Sequence, residues 1–99
     1  MMPRCEITHI FFGGKVLEER VAVISIIVED TDSTTRLNSL LHDYSRFIIG
    51  RMGIPYRPKN INIISVAVVA DSDSINALTG AIGRLKGVTC KATYAKTSD

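Results

Sequence analysis

Val21-Ala22-Val23-Ile24-Ser25-Ile26-Ile27-Val28 is a nearly unbroken run of apolar, mostly β-branched side chains. Such a run reads as a strand covered on both faces. A second run, Ile61-Asn62-Ile63-Ile64-Ser65-Val66-Ala67-Val68-Val69-Ala70, repeats the pattern. Each is followed by a cluster of acids and hydroxyls, Glu29-Asp30-Thr31-Asp32-Ser33 after the first and Asp71-Ser72-Asp73-Ser74 after the second. These residue types accept hydrogen bonds from the orphan amides of a helix N-terminus. A helix is therefore expected after each strand.

The first helix is predicted from Leu37, Leu40, Leu41, Tyr44 and Ile48, which share one helical face. Asn38, Ser39, Asp43 and Arg46 take the other side. The second is predicted from Ile75, Leu78, Ile82 and Leu85, with Gly87 placed where a C-cap glycine belongs. Between the first helix and the second long strand lies Phe47-Ile48-Ile49-Gly50-Arg51-Met52-Gly53-Ile54-Pro55-Tyr56. Two glycines and a proline end the helix there. A short strand over residues 48–55 is expected at a sheet edge, because proline cannot donate to a ladder. Arg57-Pro58-Lys59-Asn60 is the turn that follows. Val88, Cys90, Ala92 and Tyr94 alternate with Thr89, Lys91 and Thr93, which marks a half-exposed last strand.

The order is β-α-β-β-α-β. Counted from Val21, strands one and three are the most apolar and belong at the sheet centre. Right-handed crossovers then favour the spatial order four-one-three-two. The fold class is α+β: a ferredoxin-like βαββαβ plait, with a four-stranded antiparallel sheet and two helices on one face. Two helices cover only one sheet face. Yet Val21, Val23 and Ile27 alternate with Ala22, Ile24, Ile26 and Val28, and Ile61, Ile63 and Val69 alternate with Ile64, Val66 and Val68. An open face this apolar is rare in monomers. A second copy, residues 1–19 or a different protein must cover it. Self-association into a dimer or tetramer is the preferred reading.

Composition sets the class. The chain has 99 residues, 45% of them hydrophobic and 22% charged, with net charge +2 from 12 basic and 10 acidic side chains. That is one domain's worth of chain, burying ~65% of its unfolded surface. The charge is too mild for a nucleic-acid stripe, and no nucleic-acid motif is present. No apolar run reaches the length of a membrane span, and no secretory signal is readable. Cys5 and Cys90 are too few for a disulfide framework, so reduced thiols and a cytoplasmic setting are expected.

Residues 1–19 show no clear period and read as an irregular arm preceding a domain at 20–99. Gly13-Gly14-Lys15 is compatible with a purine-rich codon stretch resembling a bacterial ribosome-binding site. On that reading, translation starts at Val16 or Leu17.

The candidate sites stand beside plainer structural roles. Glu29, Asp30 and Asp32 could hold a metal, but capping the first helix and complementing its dipole explains them better. His9 and His42 lack neighbours at ligand spacing, so no metal site and no cofactor are assigned within one chain. Cys90 lies on the apolar register of the last strand, as a buried inert thiol would. No nucleophile–base pair, GxGxxG or P-loop is present. Gly50 and Gly53 have the G-x-x-G spacing of KH-type loops, but their flanks read as strand and turn. The most distinctive segment is Arg51 to Arg57, within the basic cluster of Arg46, Arg51, Arg57 and Lys59. Its plain reading is a charged, aggregation-resistant edge hairpin. Its sharper reading is a ligand-binding set of Arg51, Gly53, Tyr56 and Arg57. Gly80 and Gly83 weaken the second helix by about 1 kcal/mol each relative to alanine. Close packing by a neighbour, or a ligand approaching the helix, would offset that.

Ile49-Gly50-Arg51-Met52-Gly53-Ile54-Pro55-Tyr56 with Ile61-Asn62-Ile63-Ile64-Ser65 resembles a family of regulators assigned to the iron-only hydrogenase system. Val21–Val28 with Glu29-Asp30, and the stretches Ala77-Leu78-Thr79-Gly80 and Gly83-Arg84-Leu85, are similar too, so the likeness spans about residues 20–95. The resemblance implies an ACT-like domain, akin to the C-terminal domain of nickel-responsive repressors. It also implies an association with iron-only hydrogenase maturation in anaerobic bacteria. With the apolar sheet face and the missing nucleophile–base pair, the preferred reading is an oligomeric, non-enzymatic regulatory or sensory module that binds a small-molecule effector between subunits. The alternative is a docking or assembly factor that binds a hydrogenase maturation protein. Two departures matter. The first strand-to-helix loop, Asp30-Thr31-Asp32-Ser33-Thr34, lacks the glycine of amino-acid-binding ACT domains, and the nickel repressors' His/Cys ligand set has no match. Intact-mass measurement on untagged native protein tests the late start: on that reading the product begins at position 16 or 17, whereas one beginning at Met1 ends it and leaves a genuine arm that packs on the domain or on a neighbour.

Overall fold

Why the two long runs become the sheet centre is visible in their pairing. A computed structural model describes residues 9–12 and 15–96, with side chains from residue 19 onward. Two short strands come first, β1 (His9–Phe12) and β2 (Lys15–Glu18). Then follow β3 (Arg20–Val28), α1 (Thr34–Asp43), β4 (Ile48–Tyr56), β5 (Ile61–Ala70), α2 (Ser72–Gly83) and β6 (Val88–Tyr94). β3 and β5 pair antiparallel over the whole of β3, from Arg20 opposite Ala70 to Val28 opposite Asn62. β6 flanks β3 and β4 flanks β5, giving the order β4-β5-β3-β6. Read from β6, this is the four-one-three-two arrangement of the ferredoxin-like plait.

The core lies between this sheet and the two helices. Alternate residues Ala22, Ile24, Ile26 and Val28 of β3 are buried, as are Ile64, Val66, Val68 and Ala70 of β5. Leu37 and Leu41 of α1 and Ile75, Leu78 and Ile82 of α2 close over them. Each buried valine, leucine or isoleucine among them contributes roughly 1.5–3 kcal/mol by leaving water. The opposite face of the same strands stays open. Val21 is 47% exposed, Val23 45% and Ile63 40%.

Four expectations need correction. α1 stops at Asp43, and a 3-10 turn at Ser45–Phe47 feeds Ile48 into β4 instead of extending the helix. The i+4 and i+7 spacing of Ile48 from Tyr44 and Leu41 coincides with helical periodicity, but Ile48 reaches the core as a strand residue. Leu85 lies beyond α2, in the turn after Gly83, although it still packs against the core. Gly87 is not the helix C-cap, since Arg84 holds that position in ordinary helical geometry. Finally, residues 9–18 are not an irregular arm: His9 to Phe12 pair antiparallel with Glu18 to Lys15. Two apolar runs flanking Gly13-Gly14 carry a hairpin signal that periodicity alone does not register. Gly13 and Gly14 lie outside the described residues.

The loops are tied by specific hydrogen bonds. Asp71 caps α2, its carboxylate accepting from the Ser74 amide at 3.0 Å and from the Ser74 hydroxyl at 2.7 Å. Asp30 accepts from the Asp32 amide at 2.9 Å and faces Lys86 at 3.6 Å. Gly87 has φ +69°, and a Cβ there would sit 2.5 Å from the Asp30 Cβ. The Glu29 amide donates to the Gly87 carbonyl at 2.7 Å, and the Ser33 hydroxyl donates to the Lys86 carbonyl at 2.6 Å. The turn before β6 is thereby clamped onto the loop before α1. No helix among the described residues is long and apolar enough to cross a membrane.

Two outcomes follow from these loops. Gly87→Ala forces both the left-handed backbone and the collision with Asp30, so it lowers unfolding free energy by about 2–4 kcal/mol in urea titration. The Asp71 carboxyl is held below its ordinary 3.8, first by the Ser74 hydroxyl and then by backbone amides acting against the cost of burial. A lowered folded pKa stabilises above the unfolded value and is lost as pH falls through the folded one. Asp71→Asn therefore removes part of the stability loss seen as pH drops below 3.8, read as a flatter melting-temperature profile across that acid range.

Candidate functional site

The edge strand β4 carries the segment that the sequence singles out, and one irregularity decides where its side chains go. Ile48 pairs with Val68 and Gly50 with Ala67, so Ile49 is an extra residue, a bulge. A bulge shifts the pleat by one position. Beyond it Arg51 pairs with Val66 and Gly53 with Ile64, on the side that faces the helices. Met52, Ile54 and Tyr56 pair with Ser65, Ile63 and Ile61, on the open side. Without the bulge Arg51 would project onto the open apolar face.

Arg51 instead reaches α1. Its Nη2 donates to the Asn38 Oδ1 at 3.3 Å. Asn38 and His42 are four residues apart on α1 and so share a face. Together with Leu41, Ser45 and Ile48 they line a cleft of about 430 Å³ with Arg51. A guanidinium, an imidazole, an amide and a hydroxyl surround an apolar base of Leu41 and Ile48. This set suits a small polar or anionic group, because a guanidinium binds carboxylate or phosphate in a fork. Helix periodicity assigns Asn38 to the solvated face, and His42 is weighed in the sequence only as a metal ligand, so neither is expected in this cleft. Their i, i+4 spacing was the available signal.

The structure does not gather all four expected residues at one point within one chain. Arg51 and Gly53 lie on the helix side, Tyr56 lies on the open face, and Arg57 begins the 3-10 turn Arg57–Lys59. Arg57 is six residue steps along the chain from Arg51, roughly 20 Å when extended. The basic cluster is likewise divided. Arg46 stacks over the Phe47 ring at 5.0 Å, while Arg57 and Lys59 stand at the far end of β4. Asn60 closes that turn in the left-handed conformation, with φ 55°.

The other candidates have clear local roles. Asp30 and Asp71 cap their respective turns, and no group of three His, Cys, Asp or Glu is placed to hold a metal among the described residues. Cys90 is half-buried, and its thiol donates to the Thr79 carbonyl at 3.3 Å. Burial pushes that thiol above its ordinary 9.0, so it stays protonated and weakly nucleophilic at neutral pH. Gly80 and Gly83 are exposed on α2. A Cβ at Gly83 would meet nothing within 4 Å, and one at Gly80 would meet only Arg84 Nη1 at 3.9 Å. Packing within the chain therefore does not require either glycine.

No curated protein matches the chain. Among solved structures, that of the uncharacterized protein TM1266 from Thermotoga maritima superposes with a TM-score of 0.76 at 39% identity, over 80% of this chain and 100% of that one. The family model described as "TM1266-like: Iron-only hydrogenase system regulator, putative" matches residues 20–92, from the first residue of β3 to the middle of β6. The match takes in the whole core, the bulged β4 and the Arg51 cleft, and the chain belongs to this TM1266-like family.

Proposed function

We propose that the protein is a non-catalytic regulatory module of the iron-only hydrogenase system that acts as an oligomer and responds to a small-molecule effector. Its family description supports the regulatory part. The open face of the β4-β5-β3-β6 sheet supports the oligomeric part and is the observation that carries the reading. Val21 and Val23 of β3, Ile63 of β5, and Met52, Ile54 and Tyr56 of β4 are all exposed large apolar side chains. All six lie on the side of the sheet away from the helices.

The size of this face is adequate. Four strands about 4.8 Å apart and about 30 Å long give a face on the order of 600 Å². Two such faces packed together bury about 1,200 Å², the lower bound of stable protein interfaces. Pairing by a second copy removes the exposed valines and isoleucines from water without placing a formal charge at the centre, where Ser25 and Ser65 face each other. Lys91 pairs with Ser25 and stands toward the β6 edge, where a charged side chain reaches the rim of an interface.

In such an assembly Tyr56 and Arg57 fall near the subunit boundary, while Arg51 and Gly53 remain on the helix side. An effector site built from the bulged edge strand is then completed between copies. The ACT-like resemblance fits this reading, in which ligands lodge beside the sheet and shift the packing of subunits.

Two measurements test it. Wild-type protein is expected to sediment as a dimer or tetramer, and the double variant Val23→Glu with Ile63→Glu as a folded monomer with unchanged far-ultraviolet dichroism. A wild-type monomer overturns the oligomeric reading. In an anaerobic host, deletion of the gene is expected to alter hydrogenase transcript or activity levels. Unchanged levels under hydrogen-producing and non-producing growth overturn the regulatory reading.

A further inference from the structure

A second cleft, unconnected with β4, lies between the outer faces of α1 and α2, and its volume is about 490 Å³. That is within the range of small-molecule sites. Its shape follows from how the helices are set. The Ser33 hydroxyl, just before α1, bonds to the Lys86 carbonyl, just after α2, at 2.6 Å. The start of α1 is thus held beside the end of α2, and the helices run antiparallel. Arg36 in the first turn of α1 and Arg84 at the C-cap of α2 therefore fall at the same end of the groove, and both line it.

Neither guanidinium has an ion-pair partner within 4 Å among the described residues, where Lys86–Asp30 is the recorded pair. Asp43, the last residue of α1, lines the other end. It is seven helical steps from Arg36, about 10 Å. Between the two ends the wall is Leu40, Leu85 and Ala81, with the Ser39 hydroxyl beside them. The small side chain at Ala81 leaves the groove unfilled.

We propose that this α1–α2 cleft binds an elongated organic carboxylate, with its anionic head between Arg36 and Arg84, an aliphatic body along Leu40 and Leu85, and a cationic or hydrogen-bond-donating far end at Asp43. Two guanidiniums from different helices form a fork for one carboxylate. The apolar wall excludes a bare inorganic anion as the best ligand, and Asp43 disfavours a second negative charge. The site goes beyond the proposed function: it is a second ligand site, on the helix layer and apart from the bulged edge strand. That layer stays accessible when the sheet face is covered. A ligand bridging α1 and α2 would bias the angle between the helices and, through their buried leucines and isoleucines, the sheet they cover.

The test is an amide NMR titration of the full chain with ε-aminocaproate, caproate and hexylamine. ε-Aminocaproate is expected to shift Ser39, Leu40, Ala81 and Leu85 saturably, caproate more weakly, and hexylamine not at all. Arg36→Ala and Arg84→Ala each weaken ε-aminocaproate by at least ~10-fold, as loss of a charge-assisted contact does. Asp43→Asn weakens ε-aminocaproate but not caproate. All three positions are on the surface, and unchanged amide dispersion shows that the variants fold. Absence of saturable shifts, equal binding of hexylamine, or full affinity in both arginine variants overturns the site. The titration is read independently of sedimentation and of the deletion phenotype. Failure here with assembly intact removes this cleft alone, and failure there with binding intact removes the oligomeric reading alone.

Discussion

The antiparallel pairing of β3 with β5 is the constraint on which the rest of the molecule depends. It runs without a shift from Arg20–Ala70 to Val28–Asn62. Because side chains alternate along a strand, a slip of one residue would carry every core residue to the other face. Here both faces are apolar, so hydrophobicity alone sets the register weakly. The helices decide it. Their apolar stripes bury Ile24, Ile26, Val66 and Val68, and leave Val21, Val23 and Ile63 outside. Ser25 opposite Ser65 sits on the outer face, where its polarity is tolerated. Burying that pair against α1 and α2 would strand two hydroxyls in the core.

From that pairing the two loops acquire corresponding jobs. Each central strand is followed by a capping aspartate: Asp71 caps α2 directly, whereas Asp30 caps the 3-10 turn Thr31–Ser33 and α1 itself starts from Ser33 with no side-chain cap, contrary to the expectation that the acids cap the first helix. The loops nevertheless differ in how they are anchored. Asp71 is satisfied locally by Ser74, whereas Asp30 and Ser33 are held by Lys86, and the Glu29 amide by the Gly87 carbonyl, from far along the chain. The second arrangement closes the plait, since it fixes the entry of β6 beside β3. It also sets the two helices antiparallel, which is what brings Arg36 and Arg84 to one end of their groove.

The edge strand answers a different demand. β4 is exposed along nearly its whole length and carries Pro55, both usual in a strand that must not recruit stray partners. Its bulge at Ile49 adds a functional consequence. It sends Arg51 toward Asn38 and His42 while leaving Met52, Ile54 and Tyr56 to extend the apolar face. One inserted residue thus separates a polar cleft from an apolar surface on the same nine-residue strand.

The sequence by itself determined the four strands of the sheet, their order, both helices and the division between buried and open faces. These depend on local periodicity and on helix-capping chemistry, both of which are written within a few residues. It also marked Arg51 as a residue of interest. It did not reveal the hairpin at residues 9–18, whose signal is a glycine pair between two short apolar runs. It also misread Ile48 and Leu85, because strand and turn residues near a helix end can fall on the helical spacing by coincidence. Only the tertiary structure decided which side chains meet. Asn38 and His42 join Arg51 because a bulge sets the pleat of β4, and Arg36 and Arg84 line one groove because distant loops hold the two helices side by side. Both depend on pairings between segments far apart in the chain, and no local pattern encodes such distances.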